Sequence, residues 1–540
     1  MNEINNNETA LDLLILDGYV DEPSLLGVPP YISTEPRLIA GVAEKEELKW
    51  DYITADDYRK FGLPESEILL VHGGVTVPGK YLSGTPLKAK EAEKLAKEKR
   101  ETYLGGPLAK YYDISGFDHY SVMDLSAYFY ESLKGNSNDR YASLSEREEW
   151  LKKGSKVVKE HPMFPDPLIA EISMYRGCTR YFTGGCSFCS EPQYGKPDFR
   201  DQEDVIDEIK ELYDAGVRNF RVGGQSCTVS YKAKELGERE APKPRPKEIK
   251  KLFNGIWGEC PEIKVLHLDN ANPSVIASWP ERSKDILKTF TEKTTAGNIL
   301  ALGLESADEK VIEKNNLNST PEEVQKAVKI INEVGSERGE NGMPKLLPGI
   351  NFLGGLKGET PKTYEKNFEF LKKLVDGGYL LRRINIRQVL SHEEDFEMRN
   401  RSEFMEFKKK VREEVDRPML KKILPKGTVL KDVYMEKSKG KKTFGRQVGT
   451  YPLLVGVEYP LELEKYYDVI ITDYGYRSVT GITHPFKIDE ASFEELKAVP
   501  GIGEKRASKI FQKKPANKGE LEEVIEDEET LESLMEYVNA

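Results

Sequence analysis

"RGCTRYFTGGCSFCSEP", Arg176–Pro192, holds three of the chain's five cysteines: Cys178, Cys186 and Cys189. The residues just before it, "LIAEISMYRGC", read as a strand, so the thiols leave a strand end on a glycine-containing loop. Three neighbouring thiols cannot all pair as disulfides. The spacing Cys178-x7-Cys186-x2-Cys189 suits a metal or cluster that takes three protein ligands and keeps one coordination position open. A structural zinc site closes with four ligands, yet Cys227 and Cys260 lie far along the chain and His161 and His267 have no ligand-like spacing. A cubane iron–sulfur cluster on three thiolates leaves one iron for a non-protein ligand. On spacing alone the cluster fits best, with zinc or three incidental cysteines as the alternatives.

Outward from the loop, the chain alternates strand and helix. "QEDVIDEIKELYDAG" is an amphipathic helix, and "VRNFRVGGQS" is a strand ending in a glycine pair. The order continues through "IKVLHLDNAN", "NILALGLESAD", "LLPGINFLGGLKGET" and "RRINIRQVL", with helices such as "TPEEVQKAVKIINEVG" between them. This predicts a full or partial parallel (β/α) barrel, whose ligands sit at the C-terminal strand ends. The cysteines, "GGQ" and "GLES" all fall at that end. Upstream, "LDLLILDG", "WDYITA" and "EILLVHGG" read as strands, and "EPRLIAGVAEKEELK" and "LKAKEAEKLAKEKRETY" as helices of a parallel α/β unit. "HGGVTVPGKYLSGTP", His72–Pro86, is either a ligand loop at a strand end or a plain turn. After "KKILPKGTVLKDV" the texture becomes all-β, with four or five short strands fitting a small closed barrel. "SFEELKAVPGIGEKRASKIFQ" then reads helix, hairpin, helix.

The fold class is therefore α/β, in four expected units: residues 1–160, 165–415, 422–488 and 490–540. The 540 residues are 38% hydrophobic and 32% charged, ample for several cores. No membrane span and no signal peptide are expected, and few cysteines in a long chain point to metal or redox chemistry inside the cell. The net charge of −12 argues weakly against a nucleic-acid partner, but it is unevenly distributed. Residues 421–450 carry a local net of +7, while "GELEEVIEDEETLESLMEYVNA" has acids and no base. Both runs also fit plain solvated surface.

The cysteine loop resembles that of the radical S-adenosylmethionine (SAM) superfamily, C-x3-C-x2-C with an aromatic residue before the last cysteine, here Phe188. The first gap is four residues longer than that pattern. Three further stretches match in order: "GGQ" (Gly223, Gly224, Gln225), "GLES" (with Glu305 and Ser306), and "GINFLGGLKGET" (with Asn351). The resemblance implies a [4Fe–4S] cluster on Cys178, Cys186 and Cys189, and SAM bound at its amino group by "GGQ", its ribose by "GLES" and beside its adenine by the third stretch. It also implies one-electron cleavage of SAM, an electron donor such as ferredoxin or flavodoxin, and an oxygen-poor cytoplasm. Glu305 otherwise reads as the cap of the following helix, and Cys227 as a buried small hydrophobe. No catalytic residue can be named.

The N-terminal unit resembles the Rossmann-like domain that precedes the barrel in cobalamin-binding and methylthiotransferase relatives. The cobalamin D-x-H-x-x-G fingerprint is missing, and no cysteine precedes Cys178 to hold a second cluster. The β segment resembles a TRAM-type RNA-binding barrel, with Lys439, Lys441, Lys442 and Arg446 interleaved with Phe444 and Tyr451. "VPGIGEKRASKI" resembles a helix-hairpin-helix, with Gly501 and Gly503 in the turn and Lys505 and Arg506 beside it, a backbone arrangement that suits phosphate. The expected function is radical SAM modification of a nucleic acid, RNA before DNA, methylthiotransferase-like. A radical enzyme acting on a protein or small metabolite, and a non-catalytic nucleic-acid-binding iron–sulfur protein, are the alternatives.

Overall fold

The computed structural model describes residues 11–19, 31–74, 84–389, 396–515, 517–525 and 527–538. Most of the glycine-rich stretch at residues 72–86 therefore lies outside the described residues.

The chain opens with β1 (Leu11–Gly18), whose residues Leu13–Leu16 are fully buried, as befits a strand covered on both faces. It is followed by β2 (Tyr31–Ile32), β3 (Trp50–Thr54), β4 (Ser66–Gly73), β5 (Glu101–Gly105) and β6 (His119–Tyr120). Five of these form one parallel sheet in the order β3-β1-β4-β5-β6, the expected Rossmann-like layer. One expectation needs correcting. The helix read through "LKAKEAEKLAKEKRETY" stops at Leu95, and Glu101–Gly105 is β5. Thr102 and Tyr103 are buried there between neighbouring strands, and that burial outweighs the helical preference of the charged run before them. β2 leaves this sheet altogether and pairs with the first barrel strand.

The middle of the chain supplies β7 (Ile169–Ile172), the ribbon β8 (Tyr175–Arg176) and β9 (Asp198–Phe199), then β10 (Asn219–Val222), β11 (Val265–Leu268), β12 (Asn270–Ala271), β13 (Asn298–Glu305), β14 (Leu346–Gly354) and β15 (Ile384–Gln388). They make two parallel four-stranded sheets, β2-β7-β10-β11 and β12-β13-β14-β15, that succeed one another across Asp269. Among the described residues β15 and β2 are not paired, so the barrel is the partial form. The amphipathic helices Gln202–Ala215 and Pro321–Gly335 bury their apolar faces against it.

The N-terminal layer is joined to the barrel by a buried ion triad. Arg37, on the helix Thr34–Lys45, pairs with Glu208 on the helix Gln202–Ala215, and Arg200 pairs with the same carboxylate. Arg37 also donates to the Glu171 carbonyl on β7.

The small barrel closes as expected: β16 (Val429–Lys439), β17 (Lys442–Gln447), β18 (Leu454–Val457), β19 (Tyr466–Tyr474) and β20 (Ser478–His484), in the ring order β16-β17-β18-β20-β19. Its β17–β18 connection leaves the small barrel and enters the interior of the parallel one. Thr450 N–H donates to His267 Nδ1 at 3.1 Å, and the Tyr451 ring packs on Ile299 and Ala301 of β13. The helices Phe493–Ala498 and Glu504–Lys513 form the hairpin unit. The acidic tail is more than solvated surface, because its helices bury Leu521, Leu531, Leu534 and Tyr537. No helix among the described residues is long and apolar enough to cross a membrane.

Candidate functional site

Cys178, Cys186 and Cys189 are free, partly buried thiols on the loop that follows β8. The Arg180 backbone N–H lies 3.5 Å from Cys178 Sγ, and Arg180 Nη1 lies 3.3 Å from Cys186 Sγ. The long first gap is held in place from outside. Asn316 Nδ2 donates to the Thr183 carbonyl at 3.1 Å and the Gly185 carbonyl at 2.7 Å, while Ser187 N–H donates to the Asn315 carbonyl at 3.0 Å. Ser226 Oγ donates to the Gly177 carbonyl at 2.9 Å, which ties the loop to the "GGQ" turn. Burial pushes the thiols up, Cys186 to about 11 and Cys189 to about 12.

Three partly buried thiols on one loop suit a cluster that takes three protein ligands and keeps one iron open. A multi-iron cluster takes each thiolate on a separate iron, and N–H donors to the sulfurs are part of how proteins hold one.

A cavity of about 440 Å³ opens beside Phe188 and Glu191 at the C-terminal strand ends. Gly224, with φ +71°, turns the β10 end into it, a conformation that glycine adopts without strain. Gln225 lines the cavity, but its side-chain amide is engaged inward. Its Nε2 donates to the Val222 carbonyl at 3.0 Å, and its Oε1 accepts from Met174 N–H at 3.2 Å. Glu305 and Asn351 also line the cavity. Ser306 does not belong with them. It is fully buried, and its hydroxyl accepts from Asp308 N–H at 3.2 Å, so its side chain supports the turn rather than a ligand.

Glu305 sits at a strand end with φ +65°, a left-handed conformation unusual for a residue with a side chain. The capping role does not hold, because Asp308 caps the following helix Glu309–Lys314. Burial pushes the Glu305 carboxyl up to about 8, against the pull of Arg387. The folded protein therefore binds more protons than the unfolded chain between about 4.5 and 8, and this carboxyl lowers stability as pH rises through that window. Glu305→Gln is expected to raise the apo-protein's stability by up to about 4 kcal/mol at pH 8 and by less than about 1 kcal/mol at pH 5. Thermal denaturation at the two pH values checks this, and an equal effect at both would sink it.

The floor of the cavity comes from residues that no motif spacing announced. Asp269, between β11 and β12, pairs with Arg221 and accepts from the Tyr451 hydroxyl. Burial alone would raise its carboxyl, but Arg221 and the Tyr451 hydroxyl hold it below the usual carboxylate range. The Arg383 guanidinium lies over the Tyr451 ring, 3.5 Å from its centroid. The one available signal was the arginine-rich stretch "RRINIRQVL", where three cations in and just before a barrel strand mark a polar interior.

Of the candidate nucleic-acid residues, Lys441 and Lys442 are exposed, with Nζ atoms 3.5 Å from Glu494 and 2.6 Å from Glu458. Ion pairs this exposed are weak and open to exchange. Arg446 corrects the expectation of a surface cation. It is buried in a two-pronged pair with Glu436, so it cannot track phosphates. Tyr451 is likewise a cavity residue, not a surface stacking platform. In the hairpin, Gly501 takes φ +82°, whereas Gly503 is extended and leaves open space where a side chain would stand. Lys505 is exposed. Arg506 folds back on the Gly501 carbonyl at 2.9 Å, with Asp527 of the tail 3.4 Å away.

A partial parallel barrel with a three-thiol loop and a ligand cavity at its C-terminal rim defines a cluster-bearing barrel enzyme. The radical SAM superfamily model matches residues 172–371 and a helix-hairpin-helix motif model matches residues 488–513, so the chain carries a radical SAM domain and a helix-hairpin-helix motif. That superfamily binds a [4Fe–4S] cluster and SAM. An uncharacterized protein of Methanocaldococcus jannaschii is 47% identical over 504 residues, 87% of this chain and 92% of that one. A tRNA-2-methylthio-N(6)-dimethylallyladenosine synthase of Buchnera aphidicola subsp. Cinara cedri is 25% identical over 270 residues, 49% of this chain and 54% of that one. The structure of the radical S-adenosylmethionine methyltransferase TsrM of Kitasatospora setae, with cobalamin and a [4Fe–4S] cluster bound, is 12% identical. It covers 70% of this chain and 75% of that one, with a TM-score of 0.45.

Proposed function

We propose that the protein is a radical SAM enzyme that modifies a nucleic acid, RNA in the first instance, receiving its electron from a ferredoxin- or flavodoxin-class donor. Cys178, Cys186 and Cys189 hold the cluster; Gly223, Gly224 and Gln225, Glu305 and Asn351 surround SAM. When bound, these groups supply one-electron cleavage of SAM to a 5′-deoxyadenosyl radical that takes a hydrogen atom from the substrate. The chain's own part is to orient SAM along the strand ends, to exclude water with the Tyr451–Asp269–Arg221 floor, and to present the target. The observation that carries the nucleic-acid reading is the course of β17, which runs from the exposed Lys442 at a basic hairpin to the connection that puts Tyr451 in the cavity. The same hairpin lies against the helix-hairpin-helix through Lys441 and Glu494. The basic hairpin and the helix-hairpin-helix beside it thus offer two sets of phosphate contacts, Lys441 with Lys442 and the Gly501–Lys505 turn. The tRNA-modifying relative supports RNA over DNA. Methylthio transfer is not part of the proposal, since no second trio of cysteines exists for another cluster.

The test is to incubate the anaerobically reconstituted protein with SAM, a reductant and total RNA, and to map modified nucleosides by mass. RNA that binds but returns unmodified, with modification found instead on a peptide or metabolite, would overturn the reading. The Lys441→Ala/Lys442→Ala variant is expected to bind RNA more weakly and to lower the slope of log affinity against log salt by about 1.4 for single strands. Titrations at several salt concentrations measure it, and an unchanged slope would remove these lysines from the interface.

A further inference from the structure

The first gap of the cysteine loop carries an arginine whose charge the fold directs at a thiol. Arg180 is almost wholly buried, with 3% of its side chain exposed. Its Nη1 lies 3.3 Å from Cys186 Sγ and 2.8 Å from the Asn316 carbonyl. Its Nη2 lies 2.9 Å from Asn316 Oδ1 and 3.2 Å from Glu240 Oε1. Asn316, with φ +46°, grips the same loop through Thr183 and Gly185, so the guanidinium and the sulfur are held by one knot of hydrogen bonds. The counter-charge is unequal to the cation. Glu240 is 43% exposed and screened by water, whereas Arg180 is not.

We propose that Arg180 is a positioning residue that sets the reduction potential of the cluster by donating to the Cys186 sulfur. The inference rests on the reading that Cys178, Cys186 and Cys189 hold the cluster. On reduction one electron passes from an external reductant to the cluster, whose total charge falls by one, and no bond to the protein forms or breaks. A guanidinium stays protonated throughout, and a buried cation donating to a thiolate stabilises the form carrying the extra negative charge. Arg180 therefore raises the potential, and Glu240 lowers it by a smaller amount. The first gap thus carries the donor that reaches forward to Cys186.

The experiment is a redox titration of the reconstituted full-length protein without SAM, followed by electron paramagnetic resonance, with iron and sulfide content measured on the same samples. Arg180→Met is expected to shift the potential negative by at least a tenfold change in the reduced-to-oxidised ratio, about 59 mV for one electron. Arg180→Lys should fall between Arg180→Met and the wild type, and Glu240→Gln should shift the other way. A role confined to holding the loop would lower cluster content in Arg180→Met and Arg180→Lys while leaving the potential of the remaining cluster unchanged. That result, or Glu240→Gln and Arg180→Met shifting in the same direction, overturns the proposal. If Arg180→Met assembles no cluster, Arg180→Lys and Glu240→Gln decide by the same signs. Cys186→Ala tests the underlying reading separately: a cluster of undiminished content and unchanged spectrum there would refute the three-cysteine assignment whatever the arginine variants show.

Discussion

Cys186→Ala/Cys189→Ala is expected to abolish formation of 5′-deoxyadenosine from SAM and to leave the fold standing. The two thiols are partly buried on a loop whose position is fixed by other groups: Asn316 on Thr183 and Gly185, and Asn315 on Ser187. Burial holds both thiols neutral in the absence of metal, so alanine removes no charge from the apo-protein. The packing lost is modest, since the apolar neighbours of Cys186 are the small cluster around Val311, Leu317 and Leu356, and Arg180, which gives up one contact to sulfur, keeps its bonds to Asn316 and Glu240. A change of about 1 kcal/mol or less in unfolding free energy is therefore expected, beside loss of cluster iron and of all SAM cleavage. Deoxyadenosine assays, iron analysis and thermal denaturation on one preparation separate the two effects. Cleavage that persists in the variant would show that the chemistry lies elsewhere in the chain.

Glu208→Ala is expected to cost about 3–5 kcal/mol of stability, because it strands two guanidiniums in the interior. Glu208 is fully buried between Arg37 and Arg200, neither of which has meaningful access to water. Burial works to raise its carboxyl, but the two cations overcome it and hold the group below its usual range. A depressed carboxyl adds stability above the unfolded value of about 4.5 and loses it as pH falls through the folded one. Wild type should thus lose stability on acidification, and Glu208→Ala should show less of that dependence. Replacing all three residues by apolar ones of similar size should restore most of the loss. Urea unfolding at pH 3 and 7 measures each part, and a single-variant cost below about 1 kcal/mol at pH 7 would contradict the buried-triad account.

Much of this fold was legible because its signals are local. The apolar runs of β1, β7 and β13 and the 3.6-residue periodicity of Pro321–Gly335 depend on neighbouring positions in the chain. β5 was not legible, since its strand state comes from β4 and β6 on either side and a charged helical run leads into it. The same divide runs through the site. Glycines at a strand end and cysteines in one loop can be read from spacing. Asp269, Arg383 and Tyr451 meet from three separate elements, and no spacing connects them. Arg446 shows the limit most clearly. Strand alternation marks it as polar, but only the register of β16 against β17 reveals Glu436 beside it and turns an expected surface cation into an interior pair.

The connection between β17 and β18 has a consequence for how this chain can be cut or recombined. Because Tyr451 completes the floor of the cavity from below, the small barrel is a wall of that cavity as well as an appendage to the parallel one. A chain ending before residue 425 would keep all five cysteines and the Gly224 turn, yet the cavity would lie open to water through its base. Grafting the small barrel of another protein in its place would fail in the same way, unless the graft brought its own stopper of matching length. The two modules share one vessel, and neither is an interchangeable cassette.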